Sequence, residues 1–360
     1  MAAARPRVWV SQPLFDDIVD QLAAHCDVDA TAQVVQYDAA AIAAALRDAD
    51  GALVTLNERI GATELAAAPR LRAIANVGVG YNNLDIAALD AAGVVATNTP
   101  DVLTETTADL GFALLMAAAR RIGESERWLR EGHWRQWSFS TMLGADVHGS
   151  TLGILGMGRI GQAIARRGHH GFGMKVLYHN RSRLPETVER EVGACYVEFD
   201  ALLAQADHLL LVLPYSPASH HIIDAAALAK MKPGATLVNI ARGGLVDELA
   251  LADALANGRL AAAGLDVYDG EPDVRPELLA LRNVVLTPHI GSASRATRRA
   301  MVQRAVDNLT AALGFGPQAG RPSNPVTAKQ TTAIANAITT TGAIAGAGKA
   351  ATGKRPGTSA

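Results

Sequence analysis

The chain has 360 residues, of which 49% are hydrophobic and 19% are charged, with 33 basic side chains against 35 acidic ones. This length accommodates two domains of ordinary size, and the composition is typical of a globular α/β protein rather than of a disordered or collagen-like chain. Because the charges nearly balance, nothing in the composition favours a nucleic-acid or membrane partner, and we expect neither.

The sequence carries no sign of secretion or of membrane insertion. No segment approaches about 18 consecutive apolar residues, and the N-terminus runs into a strand-like segment without a signal-peptide pattern. We therefore expect a cytoplasmic protein. Its two cysteines, Cys26 and Cys195, are too few for a disulfide framework and lack Cys-x-x-Cys spacing, so no bound metal is predicted.

The first part of the chain alternates short apolar runs with helical patterns. The runs RVWV, ALVTL, RLRAIANVGVG and VVATNTP are typical of strands, and DDIVDQLAAH is typical of an amphipathic helix. This alternation predicts a parallel sheet with crossover helices. A longer apolar-periodic stretch from Thr104 to Arg121, with Glu105 in its first turn, predicts a helix that leads into a second domain.

Six further strands are predicted after this helix, separated by helical segments: TLGIL, MKVLYHN, HLLLVLP, ATLVNIA, LAAAGLD and NVVLTPHI. They fit a doubly wound, nucleotide-binding sheet. The segment RATRRAMVQRAVDNLTAAL then predicts one amphipathic helix, ending near Gly314 and Gly316, that returns to the first domain. We therefore predict a first domain over 1–103 plus 294–327, a second over 104–293, and a disordered tail over 328–360, for which a transient helix is the alternative.

A Gly-x-Gly-x-x-Gly motif lies between the predicted strand TLGIL and a helical segment. In this context the first glycine permits a tight turn, the second lets backbone amides approach a pyrophosphate, and the third allows close helix packing. The second domain is thus predicted to bind a dinucleotide, and the alternative is a glycine turn that binds nothing. The predicted contacts are Gly156, Met157, Gly158, Arg159, Ile160 and Gly161.

The end of the next predicted strand indicates which dinucleotide is bound. Enzymes that use NAD usually place an acidic residue there to bind the ribose 2'-hydroxyl, whereas this chain has Asn180, Arg181, Ser182 and Arg183. Two guanidinium groups suit a 2'-phosphate, because their planar, forked donors match its oxygens. NADP(H) is therefore the expected coenzyme, and the alternative is a solvated basic loop in an enzyme that also accepts NAD(H).

Three later residues, Arg242, Glu271 and His289, supply what the reduction of a 2-oxo acid requires. Arg242 follows the strand-like ATLVNIA and can contact the carboxylate and the carbonyl oxygen of such an acid. His289 follows NVVLTP and can donate a proton to the new alkoxide, while Glu271 can favour the charged form of that ring. The alternatives are a surface cation for Arg242, a turn acid for Glu271 and a capping residue for His289.

A family resemblance is carried by the stretches NVGVGYNNLD, TETTADLGFALLMAAAR, GILGMGRIGQAIARR, NIARGGLVDELAL, AAAGLDVYDGEP and LTPHIGSAS. Through them the chain, from about residue 5 to residue 327, resembles the D-isomer-specific 2-hydroxyacid dehydrogenase family. The resemblance implies an α/β fold of two Rossmann-like, doubly wound parallel-sheet domains. The first would be a flavodoxin-like, substrate-binding domain and the second an NAD(P)-binding domain, with the active site in the cleft between them. It also implies a homodimer, and Arg242, Glu271 and His289 as the catalytic residues.

Further positions match the family's motifs residue by residue. Gly78, Val79 and Gly80 match the loop whose backbone amides hold the substrate carboxylate, and the alternative is an ordinary strand-to-helix turn. Asp266 matches the acid that contacts the nicotinamide carboxamide, and its alternative is a capping acid at a strand end. The remaining residues expected to contact the coenzyme are Thr107, Leu213, Pro214, Ala241, Arg242, His289 and Gly291, of which Arg242 and His289 would also bind substrate.

The resemblance implies NADPH-dependent reduction of small 2-oxo acids to D-2-hydroxy acids, with His289 as the proton donor. Glyoxylate and hydroxypyruvate are the expected substrates, and 2-keto-D-gluconate is a further candidate. One alternative is a relative that acts on another substrate, such as formate, phosphite or phosphoglycerate. The other is a dinucleotide-sensing binding protein, since co-repressors of transcription share this fold and the same three residues.

Overall fold

The computed structural model describes residues 4–328, and the chain divides into two compact units. Within the described residues, one unit is formed by 4–100 together with 299–328, and the other by Asp101–Arg298. The boundaries predicted from the sequence, at 103/104 and 293/294, lie close to these divisions. The tail predicted to be disordered lies outside the described residues, except for Ala328.

The first unit is built on a parallel sheet with five strands within the described residues. The strands are β1 (Arg7–Val10), β2 (Asp27–Ala30), β3 (Gly51–Val54), β4 (Ala73–Asn76) and β5 (Val95–Thr97). The helices between them are α1 (Asp16–Val19), α2 (Ala39–Leu46), α3 (Ala62–Ala66) and α4 (Ile86–Ala92). The strand order is β2-β1-β3-β4-β5, so β4 and β5 lie side by side, and the loops that follow them meet at one edge of the sheet.

Two details of this unit differ from the sequence prediction. β2 is not predicted from the sequence, because DVDA is polar and its place at the sheet edge leaves three of its four residues exposed. The amphipathic helix predicted for DDIVDQLAAH is divided into α1 and a 3-10 helix over Asp20–Ala24. Both differences are local and leave the parallel sheet as predicted.

The second unit is built on a parallel sheet with seven strands. The strands are β6 (Thr151–Leu155), β7 (Lys175–His179), β8 (Ala194–Tyr196), β9 (His208–Leu211), β10 (Ala235–Asn239), β11 (Leu260–Leu265) and β12 (Val284–Leu286). The helices are α5 (Thr104–Ala119), α6 (Ile122–Arg130), α7 (Arg159–Arg166), α8 (Glu186–Val192), α9 (Phe199–Gln205), α10 (Ala225–Lys230), α11 (Glu248–Ala256), α12 (Pro276–Leu279) and α13 (Arg295–Ala312), the last of which continues into the first unit.

The strand order of this sheet, β12-β11-β10-β9-β6-β7-β8, places its ligand-binding edge. The chain moves outward from β6 to β7 and β8, and then returns to β9 on the other side of β6. Open α/β sheets bind ligands at the carboxyl ends of the strands where the order reverses in this way. The loops after β6, β7 and β9 are therefore placed to form a dinucleotide site.

The long helices agree with the sequence prediction. The helix predicted from Thr104 to Arg121 is α5, and the one predicted for RATRRAMVQRAVDNLTAAL is α13. In the described part of the chain, no helix combines the length and the apolar character needed to cross a membrane.

Candidate active site

Each of the three motif glycines after β6 has a different steric role. Gly156 has φ +104°, and a Cβ there would lie 2.6 Å from the backbone nitrogen of Leu213. At Gly161 a Cβ would lie 2.3 Å from the carbonyl oxygen of Gly156, so α7 packs directly on the loop. At Gly158 a Cβ would meet nothing within 4 Å, which leaves the backbone approachable by a ligand. A dinucleotide pyrophosphate requires this steric pattern.

Two side chains connect the glycine loop to its surroundings. Asn180, directly after β7, accepts a hydrogen bond at Oδ1 from the N–H of Met157 at 2.7 Å. Arg159, in the first turn of α7 beside Ile160, pairs with Asp101, with 2.7 Å between Nε and Oδ1. Both members of that pair are largely exposed, so it contributes little to stability. Asn180 therefore holds the loop from the strand end at which NAD-dependent enzymes usually place an acid.

The two arginines expected to meet a 2'-phosphate have different surroundings. Arg183 donates from Nε and Nη2 to the two carboxylate oxygens of Glu189, at 2.9 and 2.7 Å. Glu189 also accepts a hydrogen bond from the Tyr178 hydroxyl at 2.7 Å. Arg181 and Ser182 are exposed, and no ion pair or side-chain hydrogen bond within residues 4–328 engages Arg181. On sequence alone the two guanidinium groups are equivalent, whereas in the structure Arg183 is paired with Glu189 and Arg181 is exposed.

Arg242 lies in the connection after β10, where a buried asparagine fixes its backbone. Asn239 accepts from the N–H of Ala241 at 3.0 Å and donates to the carbonyl oxygen of Arg242 at 2.8 Å. The Nη1 of Arg242 donates to the carbonyl oxygen of Ala241 at 2.6 Å. A Cβ on the next residue, Gly243, would lie 1.8 Å from the carbonyl carbon of Tyr268, so no side chain fits there. The backbone after Arg242 thus lies directly against the turn that carries Glu271.

His289 and Glu271 form a close pair. His289 Nδ1 lies 2.7 Å from Glu271 Oε2, and Glu271 Oε1 accepts from the N–H of Tyr268 at 2.9 Å. Burial alone would raise the pKa of Glu271, but the hydrogen bond and charge of His289, followed by the Tyr268 N–H and Arg242, outweigh it, and the net pKa is lowered. Glu271 is therefore ionised at neutral pH and holds a proton on Nδ1 of the ring. Nε2 remains as the nitrogen that can exchange a proton with a reactant.

Burial also acts on the guanidinium near this pair. It lowers the pKa of Arg242, and the Glu271 carboxylate opposes the shift. Because the pKa of arginine is ordinarily above 12, Arg242 stays charged. A cation, a carboxylate and an imidazole are thus brought together from three separate strand ends.

Asp266, directly after β11, shapes the backbone around His289. Its buried carboxylate accepts hydrogen bonds from the Thr287 hydroxyl at 2.7 Å and from the N–H groups of Ile290 and Gly291 at 2.8 Å each. Burial raises the pKa of Asp266, and these hydrogen bonds oppose the shift. His289 has φ +52°, a left-handed conformation that is costly outside glycine and is held here by these bonds. The contact of Asp266 with the nicotinamide stays a prediction.

Two buried side chains that the sequence analysis does not single out support the Glu271 turn. The Tyr268 hydroxyl lies 3.1 Å from the carbonyl oxygen of Leu265 and 2.9 Å from that of Thr287. Glu248, the first residue of α11, accepts a hydrogen bond from the N–H of Asp269 at 2.8 Å. In the sequence, the roles of Tyr268 and Glu248 are indicated only by their position close to the Arg242 and Glu271 motifs.

The other residues expected to contact the coenzyme follow the same sheet edge. Leu213 and Pro214 come after β9, and Leu213 lies against the glycine loop. Thr107 is buried in α5, and its Cγ2 would lie 3.4 Å from a Cβ on Gly291. The fold thus places Thr107 next to the loop that carries His289.

The first unit carries the loop expected to hold a substrate carboxylate, Gly78–Gly80. All three of its carbonyl oxygens accept hydrogen bonds from this unit, at 3.0, 2.8 and 2.9 Å in chain order. The N–H of Gly78 donates to the carbonyl oxygen of Asn76 at 2.9 Å. The N–H groups of Val79 and Gly80 have no acceptor among the described residues. Two adjacent amide donors are therefore available to an anion.

These features of the second unit fit a nicotinamide dinucleotide. The open backbone at Gly158 and the first turn of α7 suit the pyrophosphate, and the loop after β7 carries donors for the adenosine ribose. Within residues 4–328, no three His, Cys, Asp or Glu side chains are grouped so as to hold a metal ion.

Comparison with known proteins identifies the family. Residues 112–291 match the family described as D-isomer specific 2-hydroxyacid dehydrogenase, NAD binding domain. Glyoxylate/hydroxypyruvate reductase B of Erwinia tasmaniensis is 46% identical over 310 residues, which cover 86% of this chain and 96% of that protein. The chain belongs to the D-isomer-specific 2-hydroxyacid dehydrogenase family. It is an oxidoreductase with a nicotinamide dinucleotide as coenzyme, and the resemblance found in the sequence is confirmed.

Two further relatives of this 2-hydroxyacid dehydrogenase bear on its fold and activity. Glyoxylate reductase of Thermococcus onnurineus is 44% identical over 311 residues, covering 85% of this chain and 92% of that protein. The crystal structure of NADPH-dependent glyoxylate/hydroxypyruvate reductase from Sinorhizobium meliloti, in complex with NADP and malonate, is 36% identical with a TM-score of 0.79. The matched region covers 91% of this chain and 98% of the Sinorhizobium meliloti chain. The predicted fold of two parallel-sheet α/β domains is confirmed.

Proposed function

We propose that this protein is an NADPH-dependent reductase that converts small 2-oxo acids to D-2-hydroxy acids, with glyoxylate and hydroxypyruvate as its main substrates. The relatives named for those substrates support the choice. 2-Keto-D-gluconate is a further candidate. The observation that carries the proposal is the 2.7 Å pairing of His289 with Glu271 near the Arg242 guanidinium. These three groups are a proton donor, its charged partner and a cation for the acid.

Each residue of this set has one task in the proposed reaction. Arg242 binds the carboxylate and polarises the carbonyl oxygen, because its fork can reach two oxygens at once. The free amides of Val79 and Gly80 donate to the carboxylate. When bound, the reduced nicotinamide supplies hydride to the carbonyl carbon. His289 transfers its Nε2 proton to the oxygen as negative charge develops there, while Glu271 keeps the Nδ1 proton in place.

The loop after β7 supports NADPH as the preferred coenzyme, with NADH as a slower alternative. Arg181 is exposed and unpaired among the described residues, so its guanidinium is free to meet the 2'-phosphate, with the exposed Ser182 beside it. Arg183 mainly stabilises the loop after β7, since two of its nitrogens donate to Glu189. Asn180 offers no charge that would repel a phosphate. The Sinorhizobium meliloti relative, solved in complex with NADP, supports the same choice.

We also propose that the protein assembles as a homodimer through residues 122–143. Of the twelve large hydrophobic side chains that are exposed in the described residues, six lie in this one segment. Exposed apolar side chains concentrated in one segment in this way favour an association surface. The six are Ile122, Leu129, Trp134, Trp137, Phe139 and Leu143.

The test of the activity is a panel of glyoxylate, hydroxypyruvate and 2-keto-D-gluconate, each with NADPH and with NADH, followed by loss of nicotinamide absorbance. Glyoxylate and hydroxypyruvate with NADPH should give the highest kcat/KM. His289→Ala should lower kcat by about a hundredfold or more, because general acid catalysis contributes roughly 10² to 10⁴. Its NADPH Kd should stay nearly unchanged. His170→Ala, which alters an exposed histidine outside the site, is the control.

Two results would contradict the proposal. Turnover that survives in His289→Ala would remove the proton-donor role. Tight NADPH binding without reduction of any acid in the panel would instead indicate a dinucleotide-sensing binding protein.

A further inference from the structure

The carbonyl side of the Gly78–Gly80 loop is fully hydrogen-bonded by neighbouring residues. Thr99 donates its N–H to the first carbonyl oxygen at 3.0 Å, Asn98 donates Nδ2 to the second at 2.8 Å, and Asn76 donates Nδ2 to the third at 2.9 Å. In a planar trans peptide the C=O and N–H bonds point in opposite directions. Each of these hydrogen bonds therefore sets the direction of the next residue's N–H.

This geometry gives Asn98 a specific effect on one donor. Its Nδ2 holds the carbonyl oxygen of Val79, which belongs to the same peptide group as the N–H of Gly80. The N–H of Gly80 has no acceptor among the described residues. Asn98 thus turns this amide away from the protein and toward the side from which an anion can approach. Thr99 sets the direction of the Val79 N–H in the same way. It does so through its backbone N–H, which a side-chain substitution does not remove.

Neighbouring residues hold the backbone of Asn98 and the side chain of Asn76 in place. The N–H of Asn98 donates to the carbonyl oxygen of Asn324 at 3.2 Å. Asn76 is fully buried, and its Oδ1 accepts from Nδ2 of Asn83 at 3.2 Å. Since Oδ1 of Asn76 faces that donor, its Nδ2 must face the loop. The peptide groups of the loop are therefore fixed before any ligand binds.

Two glycines in a three-residue loop would otherwise leave these peptides free to rotate. Glycine adopts many backbone conformations, and each peptide rotation would turn an amide away from the ligand. Donors that are fixed in advance bind an anion better, because no ordering cost is incurred on binding. We propose that Asn98 is a positioning residue that fixes the Gly80 amide as a carboxylate donor, with Asn76 holding the following peptide. This inference rests on the proposed function, which makes a carboxylate the ligand.

The experiment measures binding of oxalate, a non-reacting dicarboxylate, to the NADPH-loaded full chain by calorimetry. Asn98→Leu keeps the approximate size of the side chain and removes its donor. Because Asn98 is half-buried whereas Asn76 is fully buried, Asn98→Leu should disturb folding less than a substitution at Asn76. The Kd for oxalate should rise about tenfold, which corresponds to about 1.4 kcal/mol, while the Kd for NADPH changes less than about twofold. Asn98→Ser is the second variant if the first does not fold.

Thr327→Val is the matched control, because it also removes a buried hydrogen bond in the same unit. Thr327 accepts from the N–H of Ala96 at 3.2 Å, whereas the donors to the loop carbonyls are Thr99, Asn98 and Asn76. This variant should lower the melting temperature and leave the oxalate Kd unchanged. In turnover, Asn98→Leu should raise KM for glyoxylate and change kcat much less, because the carboxylate is bound equally in the ground and transition states.

An unchanged oxalate Kd in both Asn98 variants would overturn the inference, as would an equal rise in Thr327→Val or a wild-type protein that does not bind oxalate. Failure of the proposed function is distinguishable. A wild-type protein that reduces no 2-oxo acid, but whose oxalate affinity still depends on Asn98, would refute the activity and retain the positioning role.

Discussion

Arg181 and Arg183 carry the same charge but differ in their freedom to bind an anion. Arg183 is joined through two nitrogens to Glu189, whose side chain is only 8% exposed. The Arg183 guanidinium holds the pKa of Glu189 below its usual range, so the pair is ionised on both sides. A phosphate at Arg183 would compete with that carboxylate, whereas Arg181 faces no such competitor among the described residues. Replacing Arg181 should therefore affect coenzyme binding, whereas replacing Arg183 should mainly affect stability.

Arg181→Ala should raise the Kd for NADPH about tenfold and leave that for NADH nearly unchanged, because a charge-assisted pair with the 2'-phosphate is lost. Arg183→Ala should lower the melting temperature, since Glu189 loses its cation, and should affect NADPH less. Fluorescence titration and thermal unfolding measure the two effects. Arg190→Ala, on the exposed face of α8, is the control. Equal losses for both coenzymes in Arg181→Ala would refute the phosphate contact.

His208 gives the protein a pH-dependent stability that is separate from catalysis. It is 1% exposed, its Nε2 lies 3.2 Å from the carbonyl oxygen of Asp146, and its buried Nδ1 has no hydrogen-bond partner among the described residues. Burial lowers the pKa of His208, and the contact with Asp146 only partly opposes the shift. The unfolded chain, in which histidine has a pKa of about 6.5, therefore binds the proton more readily. The stability from neutral His208 is fully present above about pH 6.5 and is lost as the pH falls toward the lower folded-state value.

Urea unfolding of wild type and His208→Leu at a series of pH values tests this. Below about pH 6.5 the wild type should lose up to about 1.4 kcal/mol per pH unit more than the variant, which has no proton to bind at this position. Above that pH the difference in free energy of unfolding should be constant. His170→Leu, at an exposed position, should follow the wild type. A constant difference over the whole range would show that His208 titrates normally.

At the scale of single residues, the sequence predicts which side chains come together at the strand ends better than it predicts their supports. The catalytic roles of Arg242, Glu271 and His289 stay predictions. Their proximity could be predicted, because each follows a recognisable strand-like run and because the family's motifs surround them. The pairing of Arg183 with Glu189, and the anchoring role of Asp266, could not. Such contacts depend on which side chains meet across neighbouring elements, and spacing along the chain does not determine this.

At the scale of secondary-structure elements, the buried strands could be predicted and two edge strands could not. Eleven apolar or alternating runs from the sequence correspond to ten strands and to the helix at α1, whereas β2 and β8 lie at the ends of the two sheets. An edge strand has a partner on one side only, so its residues need not be apolar. DVDA is accordingly too polar to stand out, and ACY is too short.

The junction of β6 and α7 allows the steric roles of two glycines to be separated. Gly158 has an extended backbone, φ −76° and ψ −164°, that alanine also adopts, and open space beside it. Gly158→Ala should change the free energy of unfolding by no more than about 1 kcal/mol, yet raise the NADPH Kd about tenfold by occupying the pyrophosphate space. Gly161→Ala should cost about 1 to 3 kcal/mol of stability, because its Cβ would meet the Gly156 carbonyl oxygen at 2.3 Å. Wild-type affinity in Gly158→Ala would contradict the assignment of this loop.

At the scale of the whole molecule, the exposed segment 122–143 is the feature that a single chain does not explain. Trp137 is 74% exposed and Phe139 is 87% exposed. Large aromatic side chains gain most from burial, and they are enriched at protein interfaces. Among the remaining expectations, the homodimer and the cytoplasmic location stay predictions.

Trp137→Ser combined with Phe139→Ser should shift the mass measured by analytical ultracentrifugation from dimer toward monomer at micromolar concentration. The loss of two buried aromatic contacts weakens association by several kcal/mol, roughly 2 for each hot-spot residue. Val34→Ser, which replaces an 81% exposed valine in the other unit, is the control and should leave the mass unchanged. A monomeric wild type would disprove the proposed assembly.

The absence of room for even a methyl group at Gly243 has a consequence for how such an enzyme can diversify. Main chain touches main chain there, because a Cβ would lie 1.8 Å from the carbonyl carbon of Tyr268, so the spacing between the backbone after Arg242 and the turn that carries Glu271 does not depend on side-chain rotamers. Surface loops can then lengthen, shorten or exchange residues to admit new acids, while the backbone after Arg242 stays packed against the turn that carries Glu271.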